Sequence, residues 1–112
     1  LGLDPVWALD AGPLCVEATL ANARRNGVGL RVARRAIGVD RLPAADLVLE
    51  NLTGGLLGAL AAALPEPAPR ALVASGMRPE EVPGVEGAMR ARGLRAVRRI
   101  DADGWSTLLV AR

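Results

Sequence analysis

The chain has 112 residues, of which 51% are hydrophobic, and its 14 basic residues, all arginine, against 12 acidic ones leave a formal net charge of +2. It contains no histidine and a single cysteine, Cys15, which excludes a histidine-based triad, a His-containing metal site and an internal disulfide. No run approaches the roughly 18 apolar residues of a membrane span, so we expect no membrane segment. Because the chain has no histidine and one cysteine, we also expect no bound metal. The lone cysteine favours a reducing, cytoplasmic location.

The first third of the sequence predicts a strand, a helix and a second strand. Residues 6–9 form a short apolar run that ends at Asp10 and is typical of a buried strand. A helix that opens with a proline follows over residues 13–25 and ends at Asn26-Gly27. Residues 30–34 make the second strand. This alternation is typical of α/β folds whose strands are mostly parallel.

The rest of the sequence predicts four more strands and two more helices. The strands are expected at residues 46–49, 71–74, 94–100 and 105–111. The first of these two additional helices is expected to be capped by Thr53, and its apolar stripe comprises Leu56, Leu57, Leu60 and Leu64. The second helix begins near Pro79 and ends at Gly93. The last two strands, separated by residues 101–104, are expected to form an antiparallel hairpin.

Three predicted strands end in polar residues, namely Asp10, Asn51 and Ser75. Ligands of open α/β sheets bind beyond the carboxyl ends of the strands. An acid at the end of a nucleotide fold's second strand accepts hydrogen bonds from ribose hydroxyls; alternatively, Asp10 only caps the helix that follows. Ser75 is expected to be structural. The glycine-rich loop that precedes such an acid by about 20 residues would fall before Leu1, and we expect the chain to come from a longer product.

Four stretches together resemble a known enzyme family. Residues 6–28 resemble the second motif of the methyltransferases that act on large-subunit ribosomal protein eleven, and residues 45–52 resemble their fourth motif. Ser75-Gly76-Met77 with the helix after it, and Gly104-Trp105 before the last strand, complete the match. The similarity covers nearly the whole chain but only the later part of the family's catalytic domain.

The resemblance implies a Rossmann-like class I methyltransferase fold that lacks its first strand and glycine loop, with residues 1–112 as the C-terminal part of the catalytic domain. It implies S-adenosylmethionine as cofactor and a ribosomal protein as substrate. Asp10 would bind the cofactor ribose, Ala11 and Ala36 would lie along the adenosine, and Asn51 would be the catalytic residue beside the methyl group and the cofactor. Methyl transfer to an amine is an in-line displacement, so positioning supplies most of the catalysis.

Three departures from the family pattern stand out. Ala11-Gly12 replaces the more usual second acid after Asp10, so the adenosine contacts are expected to differ. Glu50 stands where the family usually has alanine, and it adds a charge beside the methyl-transfer site that either holds a cationic amine or marks a different substrate. Ala36 offers no side-chain acceptor to the adenine edge.

Other functions stay open at this point. A class I methyltransferase for another protein, a small molecule or RNA is the nearest alternative, followed by a non-catalytic remnant and, more remotely, a nicotinamide enzyme. Three arginine pairs, 24–25, 34–35 and 98–99, could make a basic surface, but no aromatic residues interleave with them. Direct binding of nucleic acid is therefore not supported.

Overall fold

The computed structural model describes residues 2–112, and these divide into two compact units, one ending at Asp40 and the other covering Arg41–Arg112. Each unit has its own sheet. The first holds two strands in the order β1-β2, and the second holds four in the order β3-β4-β6-β5.

The first unit consists of β1 (Trp7–Asp10), α1 (Pro13–Arg25) and β2 (Arg31–Arg34). The two strands pair in parallel, with Asp10 opposite Arg34 at their carboxyl ends. Proline stands at the start of α1, where its missing N–H has no helical partner to lose. Gly27 follows the helix with a φ of +64°, a left-handed conformation that glycine adopts at no steric cost. The predicted order of strand, helix and strand is confirmed, whereas the predicted burial of the first strand is wrong, since Trp7 and Leu9 are exposed.

The second unit has four strands and two α-helices. Its strands are β3 (Leu47–Asn51), β4 (Ala71–Met77), β5 (Arg95–Ala102) and β6 (Trp105–Ala111), and its helices are α2 (Gly54–Ala63) and α3 (Val82–Arg90). A short 3-10 turn, Pro79–Glu81, precedes α3. β3 pairs with β4 in parallel, whereas β6 lies antiparallel to both β4 and β5. The six predicted strands and three α-helices are all present within residues 2–112.

The core of the second unit follows from the period-2 pattern of its central strands. Every second residue is buried in β6 and in the first part of β4, as far as Ala74, and cross-strand partners such as Leu72 and Val110 point to the same face. The apolar stripes of α2 and α3 are buried as well. Removing such side chains from water contributes roughly 1.5–3 kcal/mol each. Leu56, expected in the stripe of α2, is instead 45% exposed, since its helix covers the core with a narrower face.

The C-terminal hairpin is tighter than the sequence predicts. Only Asp103 and Gly104 form its turn, and both have positive φ, 53° and 79°. This two-residue geometry matches the right-handed twist of the flanking strands. Ala102 therefore pairs directly with Trp105, and Asp101 belongs to β5 rather than to the loop. The Arg99 guanidinium and the Ser106 hydroxyl donate hydrogen bonds to the exposed carboxylate of Asp101, and these bonds lower the pKa of Asp101.

The sheet pairings are mixed where the sequence predicts a mostly parallel arrangement. Two strand pairs are parallel and two are antiparallel. The tight turn at Asp103-Gly104 reverses the chain and makes β5 and β6 antiparallel, and β6 lies between β4 and β5. The α/β class and the C-terminal antiparallel hairpin are confirmed. In residues 2–112, no helix has both the length and the apolar character needed to cross a membrane.

One arginine closes the carboxyl end of α2. Its last carbonyls have no partner within the helix, and no basic residue stands in its last turn. The Arg92 guanidinium reaches across and donates to the carbonyl oxygens of Ala61, Ala62 and Leu64 at 2.8, 3.1 and 2.8 Å. It also pairs with the exposed carboxylate of Glu66. The planar guanidinium is suited to bonding several acceptors at once.

We therefore expect Arg92→Ala to lower the free energy of unfolding by about 2 kcal/mol, because it leaves partly buried carbonyls without donors. Arg92→Lys, which keeps the charge but loses the planar fork, should recover only part of this loss. Urea denaturation of both variants measures the difference. An alanine variant as stable as the parent would show that water replaces the guanidinium without cost.

Candidate functional site

Asp10 lies at the carboxyl end of β1, where its side chain organises the start of the next helix. Oδ1 accepts the backbone N–H of Gly12 at 2.9 Å, and the backbone carbonyl of Asp10 accepts the N–H of Arg35 at 2.9 Å. Among residues 2–112, no donor reaches Oδ2, and the side chain is exposed. The predicted capping alternative is wrong, because Gly12 is the N-cap residue of α1 and no side chain caps the helix; Asp10 instead orders the turn before Pro13. One carboxylate oxygen stays available to a ligand.

Ala11 and Ala36 lie at the same end of this sheet, where the carbonyl of Ala11 and both backbone groups of Ala36 are already hydrogen-bonded. The carbonyl of Ala11 accepts a hydrogen bond from Nε of Arg34 at 2.8 Å. The N–H of Ala36 donates to Oδ2 of Asp40 at 2.8 Å, and its carbonyl accepts from Val39 and Asp40. In this arrangement Ala36 offers a ligand only apolar contact. Sequence reasoning missed Arg34 and Asp40, whose roles depend on loop geometry.

In the second unit, the carboxyl ends of β3 and β4 form the floor of an open cleft. Asn51 pairs with Ser75 at the end of the parallel register, and the N–H of Leu52 donates to the carbonyl of Ser75 at 3.0 Å. The cleft has a volume of about 480 Å³. Its lining comprises Asn51, Leu52, Thr53, Ser75, Gly76, Trp105 and Thr107. Asn51 therefore occupies the position in which α/β sheets bind ligands.

Gly76 lets the backbone approach the Asn51 carboxamide. Its φ is +84°, and a Cβ built there would overlap Oδ1 of Asn51 and would lie 2.8 Å from the carbonyl oxygen of Leu52. No residue with a side chain fits without moving these groups. The glycine thus fixes one wall of the cleft against the side chain of Asn51. The sequence signal for it is the Ser-Gly pair at the end of an apolar strand.

Glu50 is a half-buried acid directly before Asn51. Its Oε1 accepts the backbone N–H of Ser75 at 2.9 Å, and the Ser75 hydroxyl donates to the backbone carbonyl of Glu50 at 2.8 Å. Oε2 is buried and has no hydrogen-bond partner within residues 2–112. Burial raises the pKa of Glu50 to about 7, although the backbone N–H groups of Ser75 and Leu52 act in the opposite direction. Through both of these bonds, Ser75 on β4 is linked to Glu50 on β3.

Trp105 forms another part of the cleft wall. Half of the side chain is exposed, and the Arg78 guanidinium lies 5.5 Å from the centroid of its ring. A cation at this distance is attracted by the ring and fixes its orientation.

In the described part of the chain, no cluster of three or more potential metal ligands occurs.

Comparison with known proteins gives consistent results for sequence and structure. The chain is 39% identical over 116 residues to the ribosomal protein L11 methyltransferase of Rhodopseudomonas palustris, in an alignment that covers 96% of this chain and 39% of the relative. It is 37% identical over 113 residues to the protein of the same name from Bradyrhizobium diazoefficiens, covering 94% of this chain and 38% of the relative. The predicted resemblance to the ribosomal protein L11 methyltransferases is confirmed. No protein-family model matches the chain.

The fold comparison includes an L11 methylase as well. The crystal structure of ribosomal protein L11 methylase from Lactobacillus delbrueckii subsp. bulgaricus superposes with a TM-score of 0.85 at 22% identity, covering 99% of this chain and 59% of that one. An S-adenosylmethionine-dependent methyltransferase from Clostridium acetobutylicum gives a TM-score of 0.67 at 11% identity, covering 94% and 74%. The predicted class I methyltransferase fold is confirmed. The chain spans about two-fifths of the length of its curated L11 methyltransferase relatives.

The raised pKa of Glu50 predicts a stability that falls as the pH rises. Below about pH 4.5, Glu50 is protonated in both the folded and the unfolded state, and burial has no electrostatic cost. Between about pH 4.5 and pH 7, Glu50 ionises more readily in the unfolded chain than in the folded protein. The folded state therefore binds more protons, and its free energy of unfolding falls as the pH rises. Solvent screens a half-buried group, so we expect a loss of roughly 1–2 kcal/mol across this window.

Urea denaturation at pH 5 and pH 8 measures this loss, and Glu50→Gln, which cannot ionise, should remove it. Glu86→Gln, on α3, is the matched control and should leave the pH dependence of the parent. The assignment of this loss to Glu50 would be contradicted if the parent protein were equally stable at both pH values after comparison with the control.

Proposed function

We propose that this chain is the C-terminal part of the catalytic domain of an S-adenosylmethionine-dependent methyltransferase that acts on amino groups of a protein, most directly a ribosomal protein of the L11 type. The observation that carries the proposal is the carboxamide of Asn51, which lines an open cleft at the carboxyl ends of β3 and β4. The names of the curated relatives supply the substrate class. A cytoplasmic location stays a prediction.

The residues at the end of β1 fit the ribose of such a cofactor. Asp10 has an exposed carboxylate with one oxygen fixed by Gly12 and the other without a donor in residues 2–112. A carboxylate held in this way accepts hydrogen bonds from neutral hydroxyls as charge-assisted bonds, which are stronger than neutral ones. Ala11 and Ala36 would supply apolar contact, because their carbonyl and N–H groups are bonded within the protein. When bound, S-adenosylmethionine supplies an activated methyl group.

The contribution of Asn51 would be to orient the attacking amine. Its carboxamide oxygen accepts hydrogen bonds, and Gly76 leaves that oxygen no room to move toward β4. An amine held through an N–H bond directs its lone pair away from the bond, so the side chain can align it for in-line attack. Positioning of this kind lowers the barrier without a dedicated base. Cleft residues beyond Asn51, including Trp105, would keep water away from the amine.

The proposal is tested with the complete protein and S-adenosylmethionine labelled in its methyl group. We expect transfer of label to purified ribosomal protein L11 and its retention in an amino group of that protein. Bulk RNA and an unrelated basic protein serve as competing acceptors. Label in RNA or in the unrelated protein would favour the broader class I alternative, and absence of both transfer and S-adenosylhomocysteine binding would favour a non-catalytic remnant.

Asp10→Ala should weaken binding of S-adenosylhomocysteine by roughly tenfold or more, because it removes the charged acceptor for two hydroxyls. Calorimetry on the complete protein measures the affinity. Glu17→Ala removes a carboxylate from the exposed side of α1 in the same unit and should leave the affinity unchanged. Unchanged binding by the Asp10 variant would remove this residue from the cofactor site.

Asn51→Ala should lower kcat by roughly 10- to 100-fold while changing cofactor affinity less than threefold, since a positioning group acts on the bound amine. Single-turnover methyl transfer and calorimetry on the same preparation separate the two effects. An equal loss in both, or in neither, would contradict the proposed place of Asn51 beside the methyl group.

A further inference from the structure

Glu50 accepts two hydrogen bonds from Ser75, one at its side chain and one at its backbone carbonyl. Backbone N–H of Ser75 donates to the Glu50 carboxyl at 2.9 Å, and the Ser75 hydroxyl donates to the Glu50 carbonyl at 2.8 Å. A parallel ladder by itself does not require either bond, because both use a side chain. The ends of β3 and β4 are therefore held together more firmly than strand pairing alone provides.

This link continues to the Asn51 carboxamide. Ser75 is followed by Gly76, whose backbone lies so close to Oδ1 of Asn51 that no methyl group fits between them. The carbonyl of Ser75 also accepts the N–H of Leu52 at 3.0 Å. Ser75 and Gly76 thus bracket Asn51, and a shift of these two residues would shift the space that its side chain occupies.

We propose that Glu50 is the positioning residue for Asn51, holding Ser75 and Gly76 against the Asn51 carboxamide so that its oxygen stays fixed in the cleft. The inference rests on the proposed function of Asn51 and extends it to a residue that would not touch the substrate. In the family that this chain resembles, the position before the asparagine is usually a residue without a polar side chain. This chain would instead fix the strand ends through a carboxyl group.

The surroundings of Glu50 distinguish this acid from others that bond to backbone. Glu81 also accepts a backbone N–H, that of Arg78, at 2.7 Å, but this exposed bond closes a local turn before α3 and joins no strands. Glu50 has one oxygen buried without a partner, an arrangement with a desolvation cost. Its bonds to Ser75 offset part of that cost, and they act only at the end of the strand that carries Asn51.

A double-mutant cycle tests whether Glu50 acts through Asn51. In the complete protein, Glu50→Ala should lower kcat for methyl transfer by about tenfold with S-adenosylhomocysteine affinity changed less than twofold. In an Asn51→Ala background, the same change should cost less than about twofold, because the group that it positions is gone. Equal fold losses in the two backgrounds would overturn the proposal.

Rescue and control variants separate positioning from a general structural effect. Glu50→Gln retains an oxygen that can accept the Ser75 N–H and should keep kcat within about threefold of the parent. Glu81→Gln, which alters the comparable bond to Arg78, should leave kcat unchanged. A Gln variant as poor as the Ala variant would overturn the proposal, as would a loss of cofactor affinity that matches the loss of kcat.

A spectroscopic measurement keeps the inference separable from the proposed function. The side-chain amide resonances of Asn51, assigned by their loss in Asn51→Ala, should move in Glu50→Ala and stay in place in Glu81→Gln. If the parent protein transfers no methyl group, the proposed function fails while this measurement still tests the link. Asn51 resonances that are unmoved by Glu50→Ala would show that the carboxyl does not position the carboxamide.

Discussion

The parallel pairing of β3 with β4 is the constraint on which the candidate site in the second unit depends. Because both strands run in the same direction, their carboxyl ends meet at one edge, and the register places Asn51 opposite Ser75. Chain reversal at that edge exposes backbone and side-chain groups that the sheet itself does not use. The Asn51 carboxamide and the Ser75 hydroxyl are both placed by this one register.

The rest of the second unit supports that pairing. Leu72 and Leu108 are wholly buried on the face of β4 and β6 that joins the core, and alternate residues of both strands follow them. Arg92 ties the end of α2 to the chain that follows α3, so that a helix with weak intrinsic propensity keeps its place. A slip of one residue between β3 and β4 would turn the side chains of the slipped strand to the opposite face and would separate Asn51 from Gly76.

Polar contacts at the strand ends illustrate how a single residue serves both structure and chemistry. Asp10 orders the turn before α1 with one oxygen and leaves the other exposed, so this structural role is compatible with ligand binding. Glu50 bonds to Ser75 with one oxygen and buries the other without a partner in residues 2–112, which raises its pKa. Ala36, by contrast, uses both backbone groups internally, and this narrows what it can offer a ligand.

The sequence by itself determined the order of elements and the residues at the strand ends. Short apolar runs, an N-terminal proline in α1, the Asn-Gly stop and the Asp-Gly turn are local signals, so they can be read without knowing the fold. The resemblance to L11 methyltransferases added the fold family and the place of Asp10 and Asn51 within it. Even so, local signals put the last turn two residues too wide and assigned Leu56 to the core.

Only the tertiary structure decided which groups face one another. The contact of Gly76 with Asn51, the bonds between Glu50 and Ser75, and the reach of Arg92 to α2 all join residues that are 25 or more positions apart. Burial of Glu50 likewise depends on neighbours from another strand, and its raised pKa has no local cause. Such pairings are set by strand register and core packing, which act over the whole unit, and no short window of sequence contains them.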